Sequence, residues 1–408
     1  MSAAIAVGMW ACDDSASSTD TEDTVSLSSS SKVEESSAST EKSTKKELSS
    51  SSSAEKSLPG KSSASGGKSE SSSSGEVSGS GKESEPSSSS SEECTGRRCK
   101  KDDSSSSAKS SSEEESSSSE EEIVIDCTGK THEAGLDSIG IVVDGKERHF
   151  FMRVPAAYKG DKPVPLVVDY HPIGGNGKSW YGGSNYKNQT EPEGVISLYP
   201  SGTAMKEPKT STLKGMPGWN VGPCCSDDDD EKFTREMIKA VEKLVCIDKR
   251  RVYATGFSMG GGMAHQVACS MSDVFAAVAP AAMDLNWTNS SYCAPERPIS
   301  VIMFRSLADR TCSYQGGDSG FNDGLNFLGA VGTFRFWAEK NGCEGTPSEN
   351  SDGCEEYSSC KDGTKVVLCI DKELPPEENP KLNKHIQGDP TIGWPFLKQF
   401  TLPASFVK

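Results

Sequence analysis

Several features that would assign this 408-residue chain to a common class of binding protein are missing from its sequence. No two cysteines have the C-x-x-C spacing of zinc and redox motifs, although the chain holds 14 Cys. No apolar run reaches the roughly 18 residues that a membrane-spanning helix needs. The net charge is −17 without a basic stripe, which excludes the electrostatic footprint of a nucleic-acid-binding protein. We therefore expect neither a metal site nor a nucleic-acid partner.

Aromatic residues are absent from residues 13–122, where about two-fifths of the residues are Ser. Such a segment cannot bury enough apolar surface to offset the entropy lost on ordering. It is predicted to be a disordered Ser/Glu/Lys-rich linker, and residues 123–408 are predicted to form one domain.

The first 12 residues, MSAAIAVGMWAC, resemble the end of a signal peptide. Ala11 before Cys12 fits a lipoprotein signal, in which Cys12 would carry the lipid; ordinary secretion is the alternative. The 11 Cys beyond residue 123 favour disulfides in an oxidising compartment, and their odd number implies one free thiol or a partner outside the domain. A secreted or cell-surface monomer is expected, with an outer-membrane lipoprotein as the anchored form.

Short apolar runs alternate with helical patterns in residues 123–408, which predicts an α/β fold with a mostly parallel sheet covered by helices on both faces. Asp144-Gly145 is predicted to be a hairpin turn. The acidic run at 227–230 is interpreted as the start of a helix, because acids in a first turn are stabilised by the helix dipole; it lacks the alternating spacing of a calcium loop. Apolar residues at helical spacing predict that this helix reaches to about Cys246. The predicted strands are residues 139–143, 148–154, 166–170, 195–199, 252–255, 275–282 and 299–304.

One motif carries chemistry: residues 256–260 read G-F-S-M-G, the G-x-S-x-G pattern, between a buried strand and a Gly-rich helix start. On such a sharp turn the Ser258 hydroxyl is lifted above the sheet edge. The backbone N–H of Met259 can then point at an oxyanion. The pattern predicts the α/β-hydrolase fold with Ser258 as nucleophile.

A nucleophilic serine needs a base and an acid, which in this fold follow it in the order acid, then His. Of the five His, His385 follows Ser258 at a useful distance, whereas His265 lies too close along the chain. Asp309 falls in the loop after the strand at 299–304 and is the predicted acid. Asp284 and Asp318 are its rivals.

The loop after the strand at 166–170 is expected to supply the second oxyanion donor. Pro172 has no N–H, so Ile173 is the predicted donor, with Gly174 as the alternative. His171 in the same loop and Trp219 in a later loop are predicted to contact substrate. Trp219 would stack on a sugar or phenolic ring; its alternative role is to pin a loop.

The sequence from about Cys127 to the C-terminus resembles the carbohydrate esterase family of feruloyl esterases and acetylxylan esterases, which is related to polyhydroxybutyrate depolymerases. The likeness lies in C-T-G-K at 127–130, V-P-A-A-Y at 154–158, G-W-N at 218–220 with the paired Cys at 224–225, and residues 256–262. Two positions depart from the pattern: Pro172 replaces a Gly, and Arg305-Ser306 replaces His-Gly.

The resemblance implies a secreted serine esterase that cleaves feruloyl or acetyl groups from plant cell-wall polysaccharide such as xylan, without a cofactor. Two alternatives stay open at this point. One is a polyester depolymerase of the polyhydroxybutyrate type, and the other is a non-catalytic cell-surface binding protein on an esterase scaffold.

Overall fold

The computed structural model describes residues 124–205, 212–374 and 379–407. The predicted signal segment at 1–12, with Cys12, and the linker at 13–122 lie outside these residues, so both stay predictions, as does the boundary at residue 123. Within the described ranges no helix is long and apolar enough to cross a membrane.

The described residues hold fourteen strands and seven α-helices, with short 3₁₀ turns at 191–193, 361–363 and 404–406. The strands are β1 Gly135–Val143, β2 Lys146–Val154, β3 Val164–Tyr170, β4 Ile196–Pro200, β5 Thr203–Ala204, β6 Pro217–Gly218, β7 Ile247–Phe257, β8 Ala277–Ala281, β9 Ser300–Ser306, β10 Gly317–Asp318, β11 Asn326–Phe327, β12 Ser348–Glu349, β13 Glu355–Tyr357 and β14 Val366–Asp371. The helices are α1 Gly177–Gly183, α2 Lys187–Thr190, α3 Asp230–Glu242, α4 Met259–Ser270, α5 Trp287–Tyr292, α6 Ala330–Lys340 and α7 Pro390–Leu397.

Ten of these strands form one sheet in the order β1-β2-β4-β3-β7-β8-β9-β14-β13-β12. The six central strands, from β4 to β14, pair in parallel, and the strands at both edges pair antiparallel. Strands β4, β8 and β9 are buried along their whole length, as expected for parallel strands covered on both faces. This confirms the predicted α/β-hydrolase fold with a mostly parallel sheet.

The predicted elements appear with small shifts of their ends. Asp144 and Gly145 both have positive φ, at 51° and 73°, as a two-residue hairpin turn requires. Asp229 caps α3 by accepting the N–H of Lys232, and Asp230 pairs with Arg148, so the acidic run does start a helix.

Helix α3 is shorter than the sequence predicts, because it ends at Glu242 rather than near Cys246. Cys246 leaves the helix since its N–H donates to the Tyr158 hydroxyl and its sulfur bonds to Cys127. Tertiary contacts thus override the helical spacing of the apolar residues.

Ten of the eleven Cys in the described residues form disulfides, and Cys312 is left as a buried free thiol, in agreement with the odd count. The pairs are Cys127–Cys246, Cys224–Cys225, Cys269–Cys293, Cys343–Cys360 and Cys354–Cys369.

Candidate active site

The parallel strands carry the predicted site residues at their carboxyl ends, which meet at one edge of the sheet. Ile173 follows β3, Ser258 follows β7, and Asp309 follows β9. His385 lies in the segment between β14 and α7. Residues that are far apart in sequence therefore converge through the topology of the sheet.

Ser258 stands on a strained turn between β7 and α4. Its φ of 56° and ψ of −123° lie in a region that residues with a Cβ rarely adopt. Hydrogen bonds hold the turn, since the Ser258 N–H donates to the Ala281 carbonyl at 2.9 Å and the Ser258 carbonyl accepts from Gly262 at 3.1 Å. Strain of this kind persists where the surroundings fix it, commonly at active sites.

The glycines around Ser258 are required by close backbone contacts. A Cβ on Gly256 would lie 2.2 Å from the Gly260 carbonyl oxygen, and one on Gly260 would lie 2.0 Å from the Tyr170 carbonyl oxygen. A Cβ on Gly261 would come within 2.3 Å of the Ala281 carbonyl oxygen. The three glycines of the motif are therefore needed for the start of α4 to pack closely against the sheet.

His385 and Asp309 form a hydrogen-bonded pair with 2.8 Å between Nδ1 and Oδ2. The other oxygen of Asp309, Oδ1, accepts the N–H groups of Thr311 and Cys312 at 2.8 and 3.0 Å. Since Oδ1 is occupied by two donors, Oδ2 is the oxygen that faces the imidazole. His385 then donates through Nδ1 and keeps Nε2 as a proton acceptor.

Side chains tie the His385 segment to the loop that carries Asp309. The Asn383 side chain accepts the Arg310 N–H at 2.8 Å and donates to the Thr311 hydroxyl at 2.7 Å. The Lys384 N–H donates to the Ala308 carbonyl at 3.2 Å. These bonds flank His385, so the imidazole and the carboxylate are fixed by adjoining residues on both loops.

The His385 ring packs beside the nucleophile turn, with its centroid 4.9 Å from that of Phe257. Nε2 is buried and has no hydrogen-bond partner among the described residues, so no bond joins it to the Ser258 hydroxyl. Catalytic hydrogen bonds often shorten only in the complex with substrate. The ring contact with Phe257 therefore places the imidazole against the turn that carries Ser258, with Nε2 left as a proton acceptor.

Both predicted oxyanion donors line one cavity together with Ser258. Met259 begins α4, where the helix leaves its first N–H groups without acceptors, and Ile173 lines the same cavity. Among the described residues neither N–H has an acceptor. By contrast, the Gly174 N–H already donates to the Pro217 carbonyl at 2.7 Å, which leaves Ile173 as the donor in that loop.

His171 and Trp219 do not fit the predicted contact with substrate, because both side chains are fully buried. His171 donates through Nδ1 to the Pro172 carbonyl and accepts the Gly202 N–H at Nε2. Burial lowers the pKa of this imidazole to about 4, so it stays neutral. Trp219 donates to the His171 carbonyl at 2.8 Å. These side chains instead hold the loop that carries Ile173, which was the alternative role stated for Trp219.

The rival acids and the rival base occupy other environments. Asp284 forms a buried ion pair with Arg305, and Asp318 is exposed in a small hairpin. His265 is buried and accepts a hydrogen bond from Trp337, and burial lowers its pKa to about 3. Asp309 and His385 are the pair that the structure brings to the nucleophile turn.

Sequence reasoning missed the apolar cavity beside Ser258 and the buried ion pair between Arg305 and Asp284. The cavity has a volume of about 60 Å³, and Met283, Leu325 and Phe327 are among the side chains that line it. These side chains lie in loops and a two-residue strand, where no periodic pattern marks them. For Arg305, the only signal in the sequence is that Arg305-Ser306 replaces the His-Gly found in the related family. Among the described residues, no group of three or more His, Cys, Asp or Glu side chains is arranged to hold a metal ion.

Comparison with known proteins gives related sequences, whereas no family model matches the chain. Feruloyl esterase B of Piromyces equi is 39% identical over 264 residues, which cover 63% of this chain and 46% of that protein. Feruloyl esterase D of Neurospora crassa is 27% identical over 269 residues, which cover 63% of this chain and 84% of that protein. The chain thus spans about half the length of the Piromyces protein.

Solved structures with a similar backbone include an acetyl xylan esterase from Aspergillus awamori, with a TM-score of 0.45 and 16% identity over 62% of this chain and 94% of that one. A thermostable esterase has a TM-score of 0.43 and 16% identity over 65% of this chain and 63% of that one. The assignment of the α/β-hydrolase fold rests on the strand order of the ten-stranded sheet.

Proposed function

We propose that this chain, whose matched region belongs to the family of feruloyl esterases and acetylxylan esterases, is a serine esterase that removes feruloyl or acetyl groups from plant cell-wall polysaccharide such as xylan. The observation that carries the proposal is the Asp309–His385 hydrogen bond beside the strained Ser258 turn. The similarity to two feruloyl esterases supplies the substrate class.

The reaction follows from the direction of each donor and acceptor. His385 Nε2 takes the proton of Ser258 as its oxygen attacks the ester carbonyl carbon. The N–H groups of Met259 and Ile173 stabilise the negative oxygen of the tetrahedral intermediate. Collapse of this intermediate expels the sugar alcohol, which receives the proton from His385. Water then attacks the acyl-enzyme, with His385 taking the proton of the water and returning it to Ser258 as the acid product leaves. Asp309 stabilises the imidazolium throughout.

The apolar cavity beside Ser258 is the proposed site of the acyl group. Its lining by Met283, Leu325 and Phe327 favours an apolar acyl chain over a charged one. A cavity of about 60 Å³ receives an acetyl group as it stands, and a feruloyl group has to extend beyond it. The polysaccharide then lies outside, on the surface around the cavity.

The proposal is tested first by covalent labelling with a fluorophosphonate probe. The wild type should be labelled and Ser258→Ala should not, whereas Ser291→Ala, which removes an exposed hydroxyl on α5, should be labelled like the wild type. Failure to label the wild type, or a label that survives in Ser258→Ala, contradicts the proposal. Polysaccharide binding without any labelling would instead support the binding-protein alternative.

Product release then identifies the substrate. Ferulate and acetate should be quantified after incubation with feruloylated xylan and acetylated xylan, with polyhydroxybutyrate as the competing polymer. Hydrolysis of the polyester alone would favour the depolymerase, which neither relative's name supports.

Secretion is part of the proposal, supported by five disulfides in the described residues, since such bonds persist in oxidising compartments. A lipid anchor on Cys12 and a monomeric state remain predictions from the sequence.

A further inference from the structure

A buried ion pair lies beneath the site and takes no part in the reaction described above. It joins Arg305, near the end of β9, to Asp284, which follows β8, and both side chains are 1% exposed. Removing two charges from water costs several kcal/mol per ion, and the mutual attraction offsets this only when further hydrogen bonds complete the geometry. A pair at this place therefore calls for an explanation.

Arg305 makes a second set of contacts, to the backbone of the acid loop. Its Nη2 donates to the Cys312 carbonyl at 2.7 Å and, more weakly, to the Ser313 carbonyl at 3.4 Å. Cys312 is also the residue whose N–H donates to Asp309 Oδ1. The guanidinium thus holds the carbonyl of the same residue that holds the carboxylate.

We propose that Arg305, itself held by Asp284, is a positioning residue for the catalytic acid. It fixes the turn at residues 309–313, and that turn aims Asp309 Oδ2 at His385 Nδ1. This inference rests on the proposed function, because it assigns Arg305 a role in the same site. Arginine suits the role since its planar group of five donors can reach a carboxylate and a carbonyl at once, whereas the ammonium of lysine is a single point charge.

Other groups around Arg305 do not share the role. His265 packs nearby on α4, but its pKa is lowered by burial and next by the Arg305 charge, so it stays neutral. The Cys312 thiol is buried, which raises its pKa to about 12, so it stays protonated. The charges that act on the turn are therefore those of Arg305, Asp284, Asp309 and the buried Asp323.

The test replaces both partners together, as Arg305→Met with Asp284→Leu. The double variant keeps the net charge and a buried apolar volume, and such replacements of buried pairs are often neutral or stabilising. The kcat for 4-nitrophenyl acetate should fall about 10- to 100-fold with little change in KM, because small misplacement of a catalytic group has effects of this size.

The chain offers a matched control in Arg148 and Asp230, a second fully buried pair, with 2.6 Å between Nη2 and Oδ1. It joins β2 to α3 and has no bond to the acid loop. Arg148→Met with Asp230→Leu should alter the melting temperature but leave kcat as in the wild type. Equal losses of kcat in the two double variants would mean that the Arg305 pair only stabilises the fold, and would overturn the inference.

Two further measurements keep the outcome decisive. If the Arg305 double variant does not fold, Arg305→Lys keeps the charge beside Asp284, and it should show the same loss of kcat; wild-type kcat in this variant overturns the inference. The downfield proton resonance of His385 Nδ1–H, assigned by its absence in His385→Ala, should vanish or shift in the Arg305 variants. This signal needs no substrate, so its persistence refutes the positioning role even when the proposed ester hydrolysis fails.

Discussion

Replacing Asp309 by Asn gives the sharpest test of the acid assignment, because the structure dictates how the amide must sit. Oδ1 accepts two backbone N–H groups, from Thr311 and Cys312, so the amide oxygen has to take that position. The amide NH₂ group then faces His385 Nδ1, where Oδ2 stood at 2.8 Å. An NH₂ group cannot accept a hydrogen bond, so the imidazole must turn Nδ1 into the acceptor and carry its proton on Nε2.

In that tautomer His385 cannot take the proton of Ser258. The equivalent change in a serine-protease triad lowers kcat about 10⁴-fold, or about 5.4 kcal/mol in activation free energy. We expect a loss of this size in hydrolysis of 4-nitrophenyl acetate, with a nearly unchanged melting temperature. Asp309→Ala should be less stable than Asp309→Asn, since it leaves two backbone N–H groups without their acceptor, at about 1–3 kcal/mol each.

Asp318→Asn is the matched control, because this exposed carboxylate accepts a single hydrogen bond within the described ranges, from the Gly320 N–H. It should hydrolyse the ester at the wild-type rate. If Asp309→Asn kept more than about a tenth of wild-type kcat, the tautomer argument would be refuted, since it requires a loss near the full triad effect. Equal losses in both variants would show that the assay reports general damage.

Two further outcomes follow from packing and burial. Gly260→Ala should destabilise the fold by about 3 kcal/mol or more, because the added Cβ would meet the Tyr170 carbonyl oxygen at 2.0 Å. The control is Gly182→Ala on α1, where the added Cβ has no atom within 4 Å. This variant should be neutral or slightly stabilising in the same thermal melts. A Gly260→Ala protein that melts like the wild type would contradict the packing argument. Burial raises the pKa of the Asp169 carboxyl to about 6, above its unfolded value of about 3.9, so the contribution of this group to stability should be greatest below pH 4 and should decline as the pH rises through 6. Asp169→Asn should remove this decline, about 3 kcal/mol, in melts at pH 4 and pH 7; an unchanged decline would place its origin elsewhere.

The nucleophile could be predicted because its requirements are local. The strained turn, the glycines that permit it and the helix that follows all fall within residues 256–262, so the motif alone describes the contacts. Asp309 and His385 could be predicted only through the chain order of the fold, and their hydrogen bond supports that order.

The mistaken expectations concern residues whose surroundings come from distant segments. His171 and Trp219 were expected at the substrate, yet each fills the interior by bonding to loops that no local pattern shows. Likewise, the departure at Arg305 could be noticed in the sequence, but its partner Asp284 lies 21 positions earlier and meets it only once β8 and β9 are paired. Burial and partners at such positions are properties of the assembled sheet, not of the residues next to them.

The Cys127–Cys246 bond has a mechanical consequence. It ties the start of the described domain to the residue just before β7, the central strand whose opposite end carries Ser258. A pull on the chain ahead of Cys127 is therefore transmitted through the sulfurs to the middle of the sheet, where neighbouring strands resist by sliding along one another. Without that bond, the same tension would separate the β1–β2 hairpin from the sheet edge by breaking its hydrogen bonds one after another. The domain can thus be held by the chain that precedes Cys127 while the strand beneath Ser258 bears the load.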